Sequence, residues 1–180
     1  MCYGDAGLLR DFNLLVTTAR GREEDACSEI WYLLGEIGDE AAKVDKTGVK
    51  GLIAAKSALN PFEVIEKLRR MMKDRPSEFR YSLRIIPIDK VVRTDLEEIK
   101  RTAAEMASKI MVDETFRVTV EKRFSEIPTN EIIIAVAANI ERKVDLNNPK
   151  KIFLVEVVGG LTGMSVVNSM DILSVAKERM

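Results

Sequence analysis

A mixed α/β fold of the α+β kind, built as two successive modules, is what the sequence predicts, on three observations. Hydrophobic residues fill 46% of the 180 positions and charged residues 32%, so a core is feasible beneath a heavily charged surface. Short β-branched runs alternate with segments of helical periodicity along the chain. No apolar run reaches the length of a membrane span, and no stretch is of low complexity.

The first module is read over residues 1–88. FNLLVTT, Phe12 to Thr18, is a buried strand. After Gly21, apolar Ala26, Ile30, Leu33, Leu34 and Ile37 recur at helical spacing. Glu23, Glu24 and Asp25 sit in the first turn, where the helix dipole favours acids, and Gly38 is the stop. AAKVDKTGVKGLIAAKS reads as two short strands turning at Lys46-Thr47-Gly48. Asn60 caps a second helix with Pro61 at its first position, and Phe62, Ile65, Leu68 and Met72 form its apolar face. Arg75-Pro76 ends it, and Tyr81 to Ile88 is a fourth strand. The order strand, helix, strand, strand, helix, strand is the ferredoxin-like plan, with an antiparallel sheet and both helices on one face.

The second module is read over residues 89–180. IDKVVRT is a connector; Thr94 and Glu97 then form a capping box for a helix whose face is Leu96, Ile99, Ala103, Met106 and Ile110. Thr115 to Phe124 alternates as a strand, with Phe116, Val118 and Val120 on one side and Arg117, Thr119 and Glu121 on the other. A helix capped by Thr129 or Asn130 follows; Ile132 to Ile140 is apolar nearly all round, which predicts deep burial. Asn147-Asn148-Pro149 is a turn, KKIFLVEVVGGLTGMSVVN is a hairpin, and SMDILSVAKERM is a short helix or a loose end.

Several kinds of chemistry are disfavoured. Histidine is absent, which removes imidazole bases and imidazole metal ligands. Cys2 and Cys27 form no CxxC pair and read as separate thiols. GGLTG, Gly159 to Gly163, lacks the spacing of a nucleotide loop and reads as a hairpin turn. The expectation is a protein without catalysis, cofactor or metal. The N-terminus shows no basic region before a long apolar stretch, so a cytoplasmic location is expected.

Net charge is −1, so contact with a polyanion requires a local patch. Two segments offer one. TFRVTVEKRF carries Arg117, Lys122 and Arg123; ERKVDLNNPKK carries Arg142, Lys143, Lys150 and Lys151. Glu121, Glu126, Glu131, Glu141 and Asp145 oppose them, leaving a mildly basic balance. From the residues alone the favoured reading is structural: a solvated strand end and a dipole-complementing helix end account for these cations without any ligand. KLRRMMKDR, Lys67 to Arg75, reads as an amphipathic helix end that could face RNA or simply solvent. Trp31 and the tyrosines form no cluster with basic residues, so single-strand binding by base stacking is not expected.

FRVTVEKR, the apolar helix EIIIAVAANI and KVDLNNPKKIFLVEVV together resemble the THUMP domain, most securely over residues 81–168. DFNLLVTTARGREEDA is similar to the opening of the THUMP adaptor that assists tRNA cytidine acetylation. The resemblance implies a THUMP domain behind the ferredoxin-like one, and tRNA held by its acceptor end. It also implies RNA contact by Lys122, Arg123, Lys143, Lys150 and Lys151; Arg117 and Arg142 beside them complete the expected RNA-binding set. Only about a dozen residues follow the resembling region, below the size of a folding domain. The expectation is therefore an adaptor that presents tRNA to a separate acetyltransferase. The alternative from another class is a ferredoxin-like protein-interaction or oligomerisation module without RNA binding.

Overall fold

The computed structural model describes residues 2–3 and 10–179. In chain order the strands and α-helices are β1 (Cys2–Tyr3), β2 (Leu14–Thr18), α1 (Glu23–Glu36), β3 (Lys43–Lys46), β4 (Leu52–Lys56), α2 (Pro61–Asp74), β5 (Ser82–Pro87), β6 (Lys90–Arg93), α3 (Leu96–Met106), β7 (Phe116–Arg123), α4 (Thr129–Ala137), β8 (Lys151–Val158), β9 (Leu161–Val167), β10 (Leu173–Ser174) and α5 (Val175–Glu178). They form two compact units: Met1–Ile88 with Asp171–Met180, and Asp89–Met170.

In the first unit the sheet order is β1-β3-β4-β2-β5-β10. Its central four strands are mutually antiparallel, in the expected ferredoxin-like arrangement. Ala26, Ile30, Leu33 and Leu34 of α1 and Val64, Ile65, Leu68 and Met72 of α2 join one core with Leu14, Val16, Ile53 and Ile85, so both helices lie on one face. The Asn60 side chain caps α2 by accepting from Phe62 N–H at 2.8 Å. Cys27 is fully buried and disulfide-bonded, against its reading as a simple thiol.

Glu29 pins the start of β5. Its carboxylate accepts from the N–H groups of Arg80, Tyr81 and Ser82 and from the Ser82 hydroxyl. Gly51, at φ +79°, approaches Thr18 closely: an added Cβ would lie 3.0 Å from the Thr18 carbonyl oxygen.

Residues 171–179, assigned from sequence to the second module, fold with the first. Leu173 and Ser174 pair with β5, and buried Arg69 holds Glu178 through Nε at 3.0 Å. Arg69 also pairs with Glu66, so the centre of the basic KLRRMMKDR stretch is occupied within the fold.

In the second unit the order is β6-β9-β8-β7, with β7 parallel to β8. Ile99, Ala103 and Met106 of α3 and Ile132 and Val136 of α4 share a core with Phe116, Phe153, Val155 and Met164. The connector expected at IDKVVRT contains strand β6, paired antiparallel to β9. Asp95, not Thr94, caps α3 by accepting from Glu97 N–H; the Thr94 hydroxyl instead meets that of Thr162 at 2.8 Å. The expected deep burial of α4 is overturned. Only Ile132 and Val136, four apart, face the core, while Ile133 and Ile134 are 36% and 66% exposed. An apolar residue on every side does not give a helix a second wall to pack against.

Candidate nucleic-acid interface

The two sequence segments that suggested a basic patch meet in the parallel β7–β8 pair, whose register runs from Phe116 opposite Lys151 to Arg123 opposite Val158. That register separates the seven cations. Arg117 lies where the strands begin; Lys122 and Arg123 lie where they end, about 20 Å away at the rise of a parallel strand.

The turn cations gather at the beginning. Phe116 N–H donates to Lys143 C=O and Phe116 C=O accepts from Asp145 N–H, both at 3.0 Å, so residues 143–145 run beside β7. Lys150 N–H donates to the Thr115 hydroxyl and Lys151 N–H to the Thr115 carbonyl. Asp145 accepts the N–H groups of Asn147 and Asn148 and so shapes the NNP turn. Those amides, Asn148 first, hold the Asp145 carboxyl below the ordinary aspartate value. The Met111 amide, aided by Lys151 and Lys150, likewise lowers Glu114.

These pieces enclose a cleft of about 510 Å³, lined by Arg117, Asn147, Asn148, Pro149, Lys150, Lys151, Ile152, Asn168, Ser169 and Met170. Arg117 donates from Nη1 to Leu146 C=O at 3.0 Å, while its Nε is buried and makes no hydrogen bond among the described residues. Lys151 pairs with Glu114 at 3.3 Å. Lys143 and Lys150 are exposed and have no ion pair among the described residues. Arg142 is turned inward: Nε donates to Ile110 C=O and Met111 C=O, and Nη1 to Glu141 C=O. Chemically, the cleft offers a guanidinium, one lysine without an ion pair among the described residues, a second held by Glu114, and neutral amide groups, a set whose donors suit phosphate oxygens.

The far end is different. Arg123 Nη1 lies 2.7 Å from the carboxylate of Glu156, which is 1% exposed. Lys122 Nζ donates to Ile127 C=O at 2.9 Å. The chain then leaves β7 through Phe124, at φ +56° with its ring 77% exposed. Arg123 is thus a structural counterion for a buried acid in this geometry. The amides and hydroxyl that Asn147, Asn148, Asn168 and Ser169 bring to the cleft were not anticipated. The NNP segment signalled only a turn, and nothing in sequence links it to Asn168.

Among the described residues no helix is long and apolar enough to cross a membrane. Three comparisons bear on identity. Residues 93–167 match the family model of the THUMP domain. A THUMP domain-containing protein 1 homolog from Drosophila melanogaster is 31% identical over 98 residues, which is 50% of this chain and 30% of that one. The solved structure of PH1313 from Pyrococcus horikoshii Ot3 superposes with a TM-score of 0.63 at 18% identity, over 91% of this chain and 55% of that one. A 4-thiouridine synthetase, solved as an RNA complex with bound ATP, superposes with a TM-score of 0.50 at 20% identity, over 88% of this chain and 42% of that one. The chain therefore spans about half or less of the length of the proteins it resembles, and the two structures speak for the fold alone. A THUMP domain implies RNA binding in the setting of tRNA modification. The β6–β9 unit of this chain is a THUMP domain, matched over residues 93–167.

Proposed function

We propose that this chain binds tRNA and acts as a non-catalytic adaptor, presenting tRNA by its acceptor end to a separate modifying enzyme, a tRNA cytidine acetyltransferase. The observation that carries the RNA reading is the cleft at the start of β7 and β8. There the exposed Lys150, with no ion pair among the described residues, shares one lining with Arg117, Lys151 and the side chains of Asn147, Asn148 and Asn168. Phosphate oxygens suit such a set of cations and amide donors, and the rigid sheet fixes its position. The adaptor reading draws on a sequence without histidine and on the resemblance of DFNLLVTTARGREEDA to the acetylation adaptor. A cytoplasmic location fits it.

Filter binding against tRNA across a salt series tests the first step. Affinity falls steeply with salt if phosphates release counterions, and absent or salt-indifferent binding overturns the reading. Reconstituting cytidine acetylation with purified acetyltransferase tests the second. The chain is expected to raise acetylation while modifying nothing alone; modification by the chain alone would make it an enzyme. A second reading, a protein-interaction module without RNA binding, draws on exposed Ile133 and Ile134 of α4. It predicts that Ile134→Lys abolishes partner association in a chain that never retains tRNA.

A further inference from the structure

The first unit carries a concentration of arginine of its own. Where β2 ends, β5 begins and the β3–β4 turn closes, five exposed cations come together: Arg20, Arg22, Lys50, Arg80 and Arg84. Their placement is fixed by backbone contacts. Thr18 N–H donates to Gly51 C=O at 2.9 Å, and the Thr18 hydroxyl donates to Tyr81 C=O at 2.7 Å. Arg84 sits opposite Thr17, and its N–H donates to the Thr17 hydroxyl. The close approach at Gly51 brings Arg20 beside the same turn.

Tyr81 stands at the middle. The Arg22 guanidinium carbon lies 6.0 Å from its ring centroid and that of Arg80 lies 5.7 Å away. This corrects the sequence reading that no tyrosine clusters with basic residues. A guanidinium over a ring uses its π face; its five N–H donors lie in the plane and remain directed outward. Tyr81 thus orders two arginines without consuming their hydrogen-bonding capacity.

Of the five cations, the neighbouring described acids pair with Arg22 alone. Asp25 pairs with Arg22 at 3.2 Å and Glu24 pairs with Lys46 at 2.9 Å. Glu29 is turned onto the amides of residues 80–82. Glu23 is buried enough to be pushed up, but backbone amides, its own and those of Gly51, Gly21 and Arg22, outweigh this and lower it. Arg20, Lys50, Arg80 and Arg84 have no ion pair among the described residues.

We propose that this end of the first unit is a second RNA-binding surface, on which Arg20, Lys50, Arg80 and Arg84 contact successive backbone phosphates around the arginine-braced Tyr81. It rests on the tRNA-binding reading and extends it to a unit that the family match at residues 93–167 does not include. A polyanion with repeated phosphates fits because the cations come from separate segments, and because guanidinium forks match phosphate oxygens.

The test uses the full chain and one purified tRNA in filter binding from about 50 to 200 mM salt. Arg20→Ala with Arg80→Ala and Arg84→Ala is compared with wild type and with a charge-matched control on α2, Lys67→Ala with Arg70→Ala and Lys73→Ala. The expected result is an affinity loss of about tenfold or more and a salt slope lower by up to about 3, with little change in the control. Should the triple variant unfold, Lys50→Ala with Arg84→Ala carries the same test with a slope change of up to about 2. If wild type binds tRNA and these variants bind equally well, the second surface is wrong while the tRNA reading stands. If wild type binds no tRNA, both fall. If the variants keep tRNA but lose retention on phosphatidylserine vesicles, the surface serves a lipid bilayer and the proposal is overturned.

Discussion

Where β7 and β8 begin, Lys151 is held by Glu114 but Lys143 and Lys150 are exposed and, among the described residues, without ion pairs; where the same strands end, Arg123 faces a buried carboxylate at 2.7 Å and Lys122 closes a loop. The two ends look alike in sequence, each a short run of Lys and Arg beside an acid. They differ in what the fold has already done with the charge. A cation held by an internal acid contributes to stability, while one without an internal partner is available to an outside phosphate.

The largest effect should come from breaking the internal end. Arg123→Ala removes the counterion of Glu156 and is expected to cost roughly 3 kcal/mol in denaturant unfolding, with tRNA affinity of the folded protein little changed. Pairing Arg123→Met with Glu156→Leu should recover most of that loss, since the charge and its counterion leave together. An Arg123→Ala protein of normal stability that no longer binds tRNA would reverse the roles of the two ends.

Arg117→Met comes next. It keeps the aliphatic stem but removes the bond to Leu146 C=O, at a cost of about 1 kcal/mol. Here affinity should fall more clearly than stability, the opposite balance to Arg123. Equal retention of tRNA would remove the cleft's anchor from the account.

A smaller effect separates the ends by pH. The folded state holds Asp145 below its ordinary value, so its contribution to stability is present above that value and is lost as pH falls through the lowered one. Asp145→Asn should therefore be less stable than wild type at neutral pH, with the gap closing in acid. Unfolding series at stepped pH check this; a gap that widens in acid contradicts the sign.

The smallest concerns the exit from β7. Phe124 occupies the left-handed region, at a cost of roughly 1 kcal/mol, which Gly avoids while losing part of the gain to chain entropy. Phe124→Gly should be neutral or slightly stabilising in thermal unfolding. A marked loss would mean that the exposed ring makes a contact the strand end depends on.

Much of the fold was legible because its code is local. Ala26, Ile30, Leu33 and Leu34 are spaced for one helix face, and Asn60-Pro61 announces a helix start by capping chemistry alone. β6 and β10 were not legible, being strands of four and two residues that exist by pairing with β9 and β5. The exposure of Ile134 was hidden for a related reason: an all-apolar helix has no polar side to reveal which way it faces. At the site, the residue types were readable but their partners were not. Arg123 meets Glu156 across 33 positions, and Arg80 and Arg22 meet on Tyr81 from opposite ends of the first unit's sequence.

The central claim, that one end of the β7–β8 pair meets RNA and the other serves the fold, is tested most directly by paired salt titrations of tRNA binding. Lys143→Ala with Lys150→Ala should lower the salt slope by about 2 and weaken binding without altering thermal stability, while Lys122→Ala should leave slope and affinity near wild type. The reverse pattern, with Lys122→Ala weakening tRNA binding and the double variant binding normally, would contradict it.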